Sequence, residues 1–241
     1  MDRVIYLAMA GAKAAMLRQD VLANNLANAS TTGFRAELTA FRAVPVLGDG
    51  ANTRVYAIET TPGYNSDPGP VQATHRNLDV AMKGDAWLAV RGADGLEAYT
   101  RNGALDVNNE GLLATRSGQG VLGDGGPIAV PANAQVLIGS DGTVSAVVGN
   151  GRPQTLGRLK LVTPDAPLVR GEDGLFRSGA GDLPADPRAQ VQAGALEGSN
   201  VSPVESMVAM IAAARQYEQQ MKILSTSQDR EQSATRLLAN T

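Results

Sequence analysis

Residues 23–34 read ANNLANASTTGF, and across this stretch the chain changes from one structural period to another. Upstream, residues 1–28 are rich in Ala, Leu and Met and contain no Pro. A line spaced by three and four residues runs Ile5, Ala8, Ala12, Ala15, Gln19, Leu22, Leu26, which predicts a helix with a narrow, heptad-like seam of mostly small residues. At its end Asn28, Ser30 and Thr31 favour turns, and Gly33 before Phe34 fits a left-handed glycine stop followed by an apolar residue. Helix termination does not account for Asn24 and Asn25, which stand beside Leu22 and Leu26. The expectation is that their amides hydrogen-bond between subunits and fix helix register, as a buried polar residue does in a coiled coil.

From Thr32 to Asn200 the pattern becomes short β-favouring runs separated by turn residues. Asp-Gly pairs at 49–50, 94–95, 124–125, 141–142 and 173–174, with Asn102-Gly103 and Asn150-Gly151, predict tight hairpin turns because these residues tolerate positive φ. The runs Ala86–Val90, Gln135–Ile138, Thr143–Val148 and Arg158–Val162 read as strands between them, and Thr60 to Pro70 as an extended connector. The middle of the chain is therefore expected to be antiparallel β. Trp87, Tyr99 and Phe176 lie on β runs and read as core anchors.

At Ser202 the helical period returns with a complete start signal: Ser202 as N-cap, Pro203 in the first turn and Glu205 closing a capping box. A seam continues through Val204, Met207, Ile211, Ala214, Tyr217, Met221 and Leu224, with the helix expected to run to about Leu238. Tyr217 suits core and intersubunit contact equally. Two seamed helices with no wide apolar face are poorly explained by packing on a small β core. They are expected to pack on each other and on copies of themselves, ordering in an assembly. The fold class expected is α+β: long terminal helices forming a coiled-coil-like axial domain, and a central antiparallel, hairpin-rich β domain. The expected division is 1–35 axial helix and turn, 36–76 connector, 77–199 β domain and 200–241 axial helix.

Composition excludes several function classes. Among 241 residues the net charge is -3 and the basic residues are scattered, which argues against nucleic acid as a partner. Cysteine is absent, so neither disulfides nor thiolate metal sites contribute. The single histidine, His75, rules out a multi-histidine metal cluster and reads as an exposed loop or strand-edge residue. Glycine-rich Gly118–Gly123 lacks the lysine and following helix of a phosphate loop. The Asp-Gly pairs do not recur at the fixed short period of a calcium-binding roll. No catalytic site, cofactor or metal is expected. No apolar run approaches the ~20 residues of a membrane span, and the N-terminus carries no recognisable cleavable leader, so no membrane insertion is expected and any export is expected to be leaderless.

Three separated segments carry a resemblance. Asn24 to Arg35, NNLANASTTGFR, resembles the N-terminal signature of the flagellar basal-body rod, hook and axial protein family. Glu197-Gly198-Ser199-Asn200-Val201, followed by Glu205, Met207, Ile211, Arg215, Tyr217 and Glu218, is similar to its C-terminal signature. Between them Asn77–Ala81 with Gly84-Asp85, and Tyr99-Thr100-Arg101-Asn102-Gly103, resemble the family's central segments; Ala86 stands where a glycine is usual. The similarity is strongest to proximal rod members, with distal rod members close behind. What the resemblance implies is a structural, non-enzymatic subunit of the bacterial flagellar rod, the drive shaft crossing the periplasm. It implies partners in copies of itself, in other rod proteins and in the flagellar type III export apparatus, with an inner tube of paired helices and β domains outside. The expected assembly surface comprises Ile5, Ala12, Leu22 and Leu26 of the first helix, Val204, Met207, Ile211, Ala214, Tyr217, Met221 and Leu224 of the second, and Asn24, Asn25, Asn28, Gly33, Phe34 and Asn200. A secreted β-rich adhesin oligomerised by its helices is the rival from another class, and a β-rich hydrolase resting on His75 the third.

Overall fold

Two helices of unequal length bracket the chain, α1 (Asp2–Ala27) and α2 (Pro203–Ala239). The computed structural model describes residues 2–45, 55–149 and 151–239; the turn expected at Asp49-Gly50, and Asn150 of the Asn150-Gly151 pair, lie outside the described residues. At about 1.5 Å per residue the 37 residues of α2 extend about 55 Å. Its start follows the sequence signal: the N–H of Glu205 donates to Oγ of Ser202 at 3.4 Å and the N–H of Ser206 to the Ser202 carbonyl at 3.0 Å.

The chain divides into two units. The first holds α1, α2 and the two paired strands β1 (Glu37–Pro45) and most of β2 (Val55–Tyr64). The strand thus takes in Thr60 to Tyr64, the first half of the expected connector, and only the stretch after Tyr64 is irregular. The two helices pack side by side, with Gly11 of α1 against Gln220 of α2; a Cβ on Gly11 would stand 2.9 Å from the Gln220 Cδ.

The second unit, Ser30–Ala36 with Gly63–Asn200, is antiparallel β. Among the described residues its largest sheet has nine strands. Trp87–Arg91 lies at the centre, paired antiparallel with Glu97–Thr100, Gly120–Gly123 and Leu161–Val162. A three-stranded sheet joins Ala134–Ile138, Thr143–Val148 and Gln154–Arg158. The expected strand Arg158–Val162 is divided between the two sheets. Arg158 ends a strand of the smaller one, Leu159 donates its N–H to Gly142 at 2.9 Å, and Leu161 enters the larger. Leu159 and Leu161 are both buried, so the crossing itself runs through the core. That core contains Leu88, Val90, Leu105, Val121 and Val144, and a second cluster stacks Tyr64, Trp87 and Phe176 with centroids 4.7–5.8 Å apart.

One turn recurs five times among the described residues, at Gly92–Leu96, Asn108–Leu112, Thr115–Gln119, Gly139–Thr143 and Gly171–Leu175. In each, the first N–H donates to the fifth carbonyl at 2.8–2.9 Å, and the fourth residue is a glycine with φ of 76–95°. This is the three-residue hairpin loop whose last residue forms a glycine bulge. Asp94, Asp141 and Asp173 complete it by accepting the N–H two residues on at 3.0–3.1 Å. Asn102-Gly103 is a correction: it is not a hairpin turn. A Cβ on Gly103 would lie 1.7 Å from the Val80 carbonyl oxygen, so glycine is required there for close approach of two backbones.

Candidate assembly surfaces

The asparagines of α1 are used close to home. The helix ends at Ala27, and the Asn28 side chain folds back so that Nδ2 donates to the Asn24 carbonyl at 2.9 Å and to Oδ1 of Asn24 at 2.8 Å. The Asn24 carbonyl thus accepts both the Asn28 backbone N–H, at 3.1 Å, and the Asn28 side chain, which caps the last turn of the helix. Gly33 keeps the expected positive φ, 68°, but stands well past the helix end, and so it does not terminate the helix. Asn25 is bonded within the chain. Its Oδ1 accepts the Glu37 N–H at 2.8 Å and its Nδ2 donates to the Glu37 carbonyl at 2.9 Å, a strand-like pairing that ties α1 to β1 within one chain. Asn24 is exposed, its Nδ2 reaching Oε2 of Glu37 at 3.5 Å.

Along α1, Ala8, Ala12 and Ala15 are buried, and Ile5, Leu22 and Leu26 are half-buried on the same side. Tyr6, Met9 and Met16 face solvent. On α2 the covered positions are Ser206, Ala213 and Ser227, with Gln220 half-buried at the same seven-residue spacing. Small side chains occupy this face because they let two helix backbones approach closely. The larger apolar residues of α2 lie elsewhere: Val204 is 71% exposed, Met207 51%, Val208 63% and Ile211 55%. Tyr217 and Met221 are also exposed, while Ala214 and Leu224 are half-buried. Val204, Met207, Val208 and Ile211 recur at intervals of three and four residues, so they form one exposed apolar stripe on the first turns of α2.

Gly33, Phe34 and Asn200 come together in the β unit. Asn200 accepts the Ala36 N–H through Oδ1 at 2.7 Å, donates from Nδ2 to the carbonyls of Asn65 and Asp67 at 3.1 and 2.8 Å, and donates its own N–H to Phe34 at 3.3 Å. Phe34 is buried under the Arg170 guanidinium, 4.4 Å from its ring centroid. Gly33 donates its N–H to the Glu197 carbonyl at 2.8 Å, and a Cβ there would meet the Arg101 backbone at 2.3 Å. These three positions therefore hold one chain together.

Beside them lies a cluster that no sequence pattern singles out. Glu197, 1% exposed, receives Arg35 Nη2 on Oε1 at 2.7 Å and Arg101 Nη2 and Nε on Oε2 at 2.7 and 2.9 Å; Gly69 donates to Oε1 at 3.0 Å. Arg101 also donates to the carbonyls of Gly84 and Ala86, and Arg35 to that of Asp67. Burial holds the Arg35 guanidinium below its ordinary pKa, against the pull of Glu197. Each of the three segments that carried the resemblance contributes one member. The readable signal was their presence in those segments, while the pairing itself spans most of the chain.

His75 is exposed on a turn with φ of 58°, and among the described residues no group of His, Asp or Glu is placed to hold a metal ion. Among them no helix is long and apolar enough to cross a membrane.

Three family models match the chain: flagella basal body rod protein over residues 5–35, flagellar hook protein FlgE/F/G D1 domain over 81–146, and flagellar basal body rod FlgEFG protein C-terminal over 192–237. The chain is 47% identical to the flagellar basal-body rod protein FlgF of Salmonella typhimurium over 99% of both chains, and 48% identical to that of Escherichia coli over the same shares. With the flagellar basal-body rod protein FlgG of Bacillus subtilis it shares 31% identity over 95% of this chain and 96% of the relative. These relatives are structural proteins, not enzymes. Identity over the full length, together with matched models at both ends and in the middle, shows that this chain belongs to the flagellar basal-body rod protein family as a FlgF-like structural subunit.

Proposed function

We propose that the subunit polymerises through its terminal helices into the proximal part of the rod, with α1 and α2 forming the axial layer and the β domain the outer one. In this reading residues 1–35 and 200–241 are axial, 36–76 connect, and 77–199 stiffen the shaft laterally. Neighbours are further copies and other rod proteins. The chain reaches the periplasm through the flagellar type III export apparatus.

The observation that carries this reading is the division of α2 into two faces. Ser206, Ala213 and Ser227 are covered within the chain, whereas Val204, Met207, Val208 and Ile211 are not. Burying such residues contributes about 1.5–3 kcal/mol each relative to leaving them exposed, and many modest contacts per subunit sum to a stable polymer. Within the expected interface, Ile5, Ala12, Leu22 and Leu26 hold the helix pair. The exposed Val204, Met207, Ile211, Tyr217 and Met221 meet neighbours, with Ala214 and Leu224 at the margin. The relation to FlgF is closer than to FlgG in identity, which favours the proximal position.

The test is incorporation into rods. Val204→Glu with Ile211→Glu places charge on the stripe and leaves the covered face untouched. The variant is expected to fold with unchanged helix content and to be lost from isolated basal bodies, with loss of motility. Normal incorporation, or normal incorporation of a chain lacking residues 1–28, would remove the helical model.

A further inference from the structure

We infer that the Arg35–Glu197–Arg101 cluster is a closing lock: the β unit becomes stable only when Glu197, near the C-terminal end of that unit, is seated between two arginines that precede it in the chain. The charges are unequal. Two guanidiniums, 3% and 2% exposed, share one carboxylate that is 1% exposed, and Nε of Arg35 is buried without a hydrogen-bond partner. Without Glu197 the interior would hold two uncompensated positive charges, and desolvating an unpaired ion is far more costly than leaving it in water.

The partners of Glu197 come from far back in the sequence. Arg101 is 96 positions away and Gly69 128. The Glu197 carbonyl also holds the N–H of Gly33. Contacts of such separation cannot form until the intervening chain is in place, and they are made late in folding because loop closure precedes their gain. Glu197 lies at the end of Ala195–Glu197, a strand that pairs with Val71–Ala73, so it arrives as a strand edge rather than by a side-chain movement alone. Arg101 meanwhile donates to the carbonyls of Gly84 and Ala86 beside the central strand. Seating one carboxylate therefore fastens the segment after α1, the central sheet and the end of the β unit in a single step. A chain that has not yet supplied residue 197 keeps this unit open.

The inequality of charge makes the lock testable in the full chain, using Trp87 emission to follow the β unit. Glu197→Gln is expected to shift the folding equilibrium toward the open state about a hundredfold or more. Arg35→Met removes the surplus charge and leaves the Arg101–Glu197 pair matched, so its effect is expected to be at least about tenfold smaller. Combining Arg35→Met with Glu197→Gln should recover part of the loss, giving a chain more stable than Glu197→Gln alone. In kinetics Arg35→Met is expected to speed unfolding and leave refolding unchanged, as for contacts formed after the transition state. Equal effects of the two single substitutions, a double variant worse than Glu197→Gln, or refolding slowed by the whole change would each overturn the lock.

Discussion

Asn25 hands both ends of its amide to the backbone of Glu37, and this fixes what its removal should do. The residue is buried, and both bonds are close to ideal length. Replacing it by alanine leaves a strand N–H and a carbonyl without their partner, each of which costs about 1–3 kcal/mol when water cannot reach it. Asn25→Ala is therefore expected to lower the stability of the helical unit by about 2 kcal/mol or more, read by chemical denaturation. Asn24→Ala, at an exposed position, should stay within about 0.5 kcal/mol. Equal effects would contradict this division of labour. In the sequence these two neighbours are indistinguishable, since the helical period places both beside the seam. What separates them is where β1 returns, a contact that no local pattern encodes. Gly103 is similar: its pairing with Asn102 reads as a turn, and its actual requirement comes from the Val80 backbone.

At the level of elements, the recurring five-residue turn was legible because glycine and aspartate act locally. Its glycine supplies the left-handed φ, and the preceding aspartate accepts the next free N–H, whatever the rest of the chain does. The helix faces were legible unevenly. On α1 the small-residue line is also the covered line, but on α2 apolar size picks out Val204, Met207 and Ile211, while the side covered within the chain is chosen by smallness and includes Ser206 and Ser227. The turns carry a pH prediction. The carboxyl of Asp94 is held below its ordinary pKa chiefly by the Leu96 N–H, that of Asp141 by the Thr143 hydroxyl, and that of Asp173 by the Arg177 guanidinium. A carboxylate whose folded pKa is depressed binds fewer protons folded than unfolded, so its contribution is complete above the unfolded value of about 3.9 and disappears as pH falls through the folded value. Stability of the β unit should thus be flat from neutral pH to about 5 and fall below about 4. Asp173→Asn should shallow that fall, as measured by denaturation at stepped pH; an unchanged slope would show that these turns do not report protonation.

For the whole molecule the two units rest on different physics. The β unit encloses a core of Leu, Val and Ile with fully buried strands such as Trp87–Val90, and locks it with ion pairs. The helical unit joins its helices through alanine, serine and glycine, which approach closely but remove little apolar area from water. The polymerisation proposed above suits marginal helices, because area withheld from the single chain remains for neighbours to cover. The two units should therefore lose structure separately. The single tryptophan, Trp87, belongs to the β unit and reports its core, while far-ultraviolet circular dichroism at the helical minimum is dominated by α1 and α2. In urea the dichroism signal of the unassembled subunit is expected to decline at a lower midpoint than the Trp87 emission, a departure from two-state behaviour. In the assembled form mass action should raise the helical midpoint toward or past that of the core, since a partner that binds only the ordered helices stabilises them. Coincident midpoints in the free subunit would mean that the small-residue seam is as strong as the β core, and the outward stripe of α2 would then need another explanation.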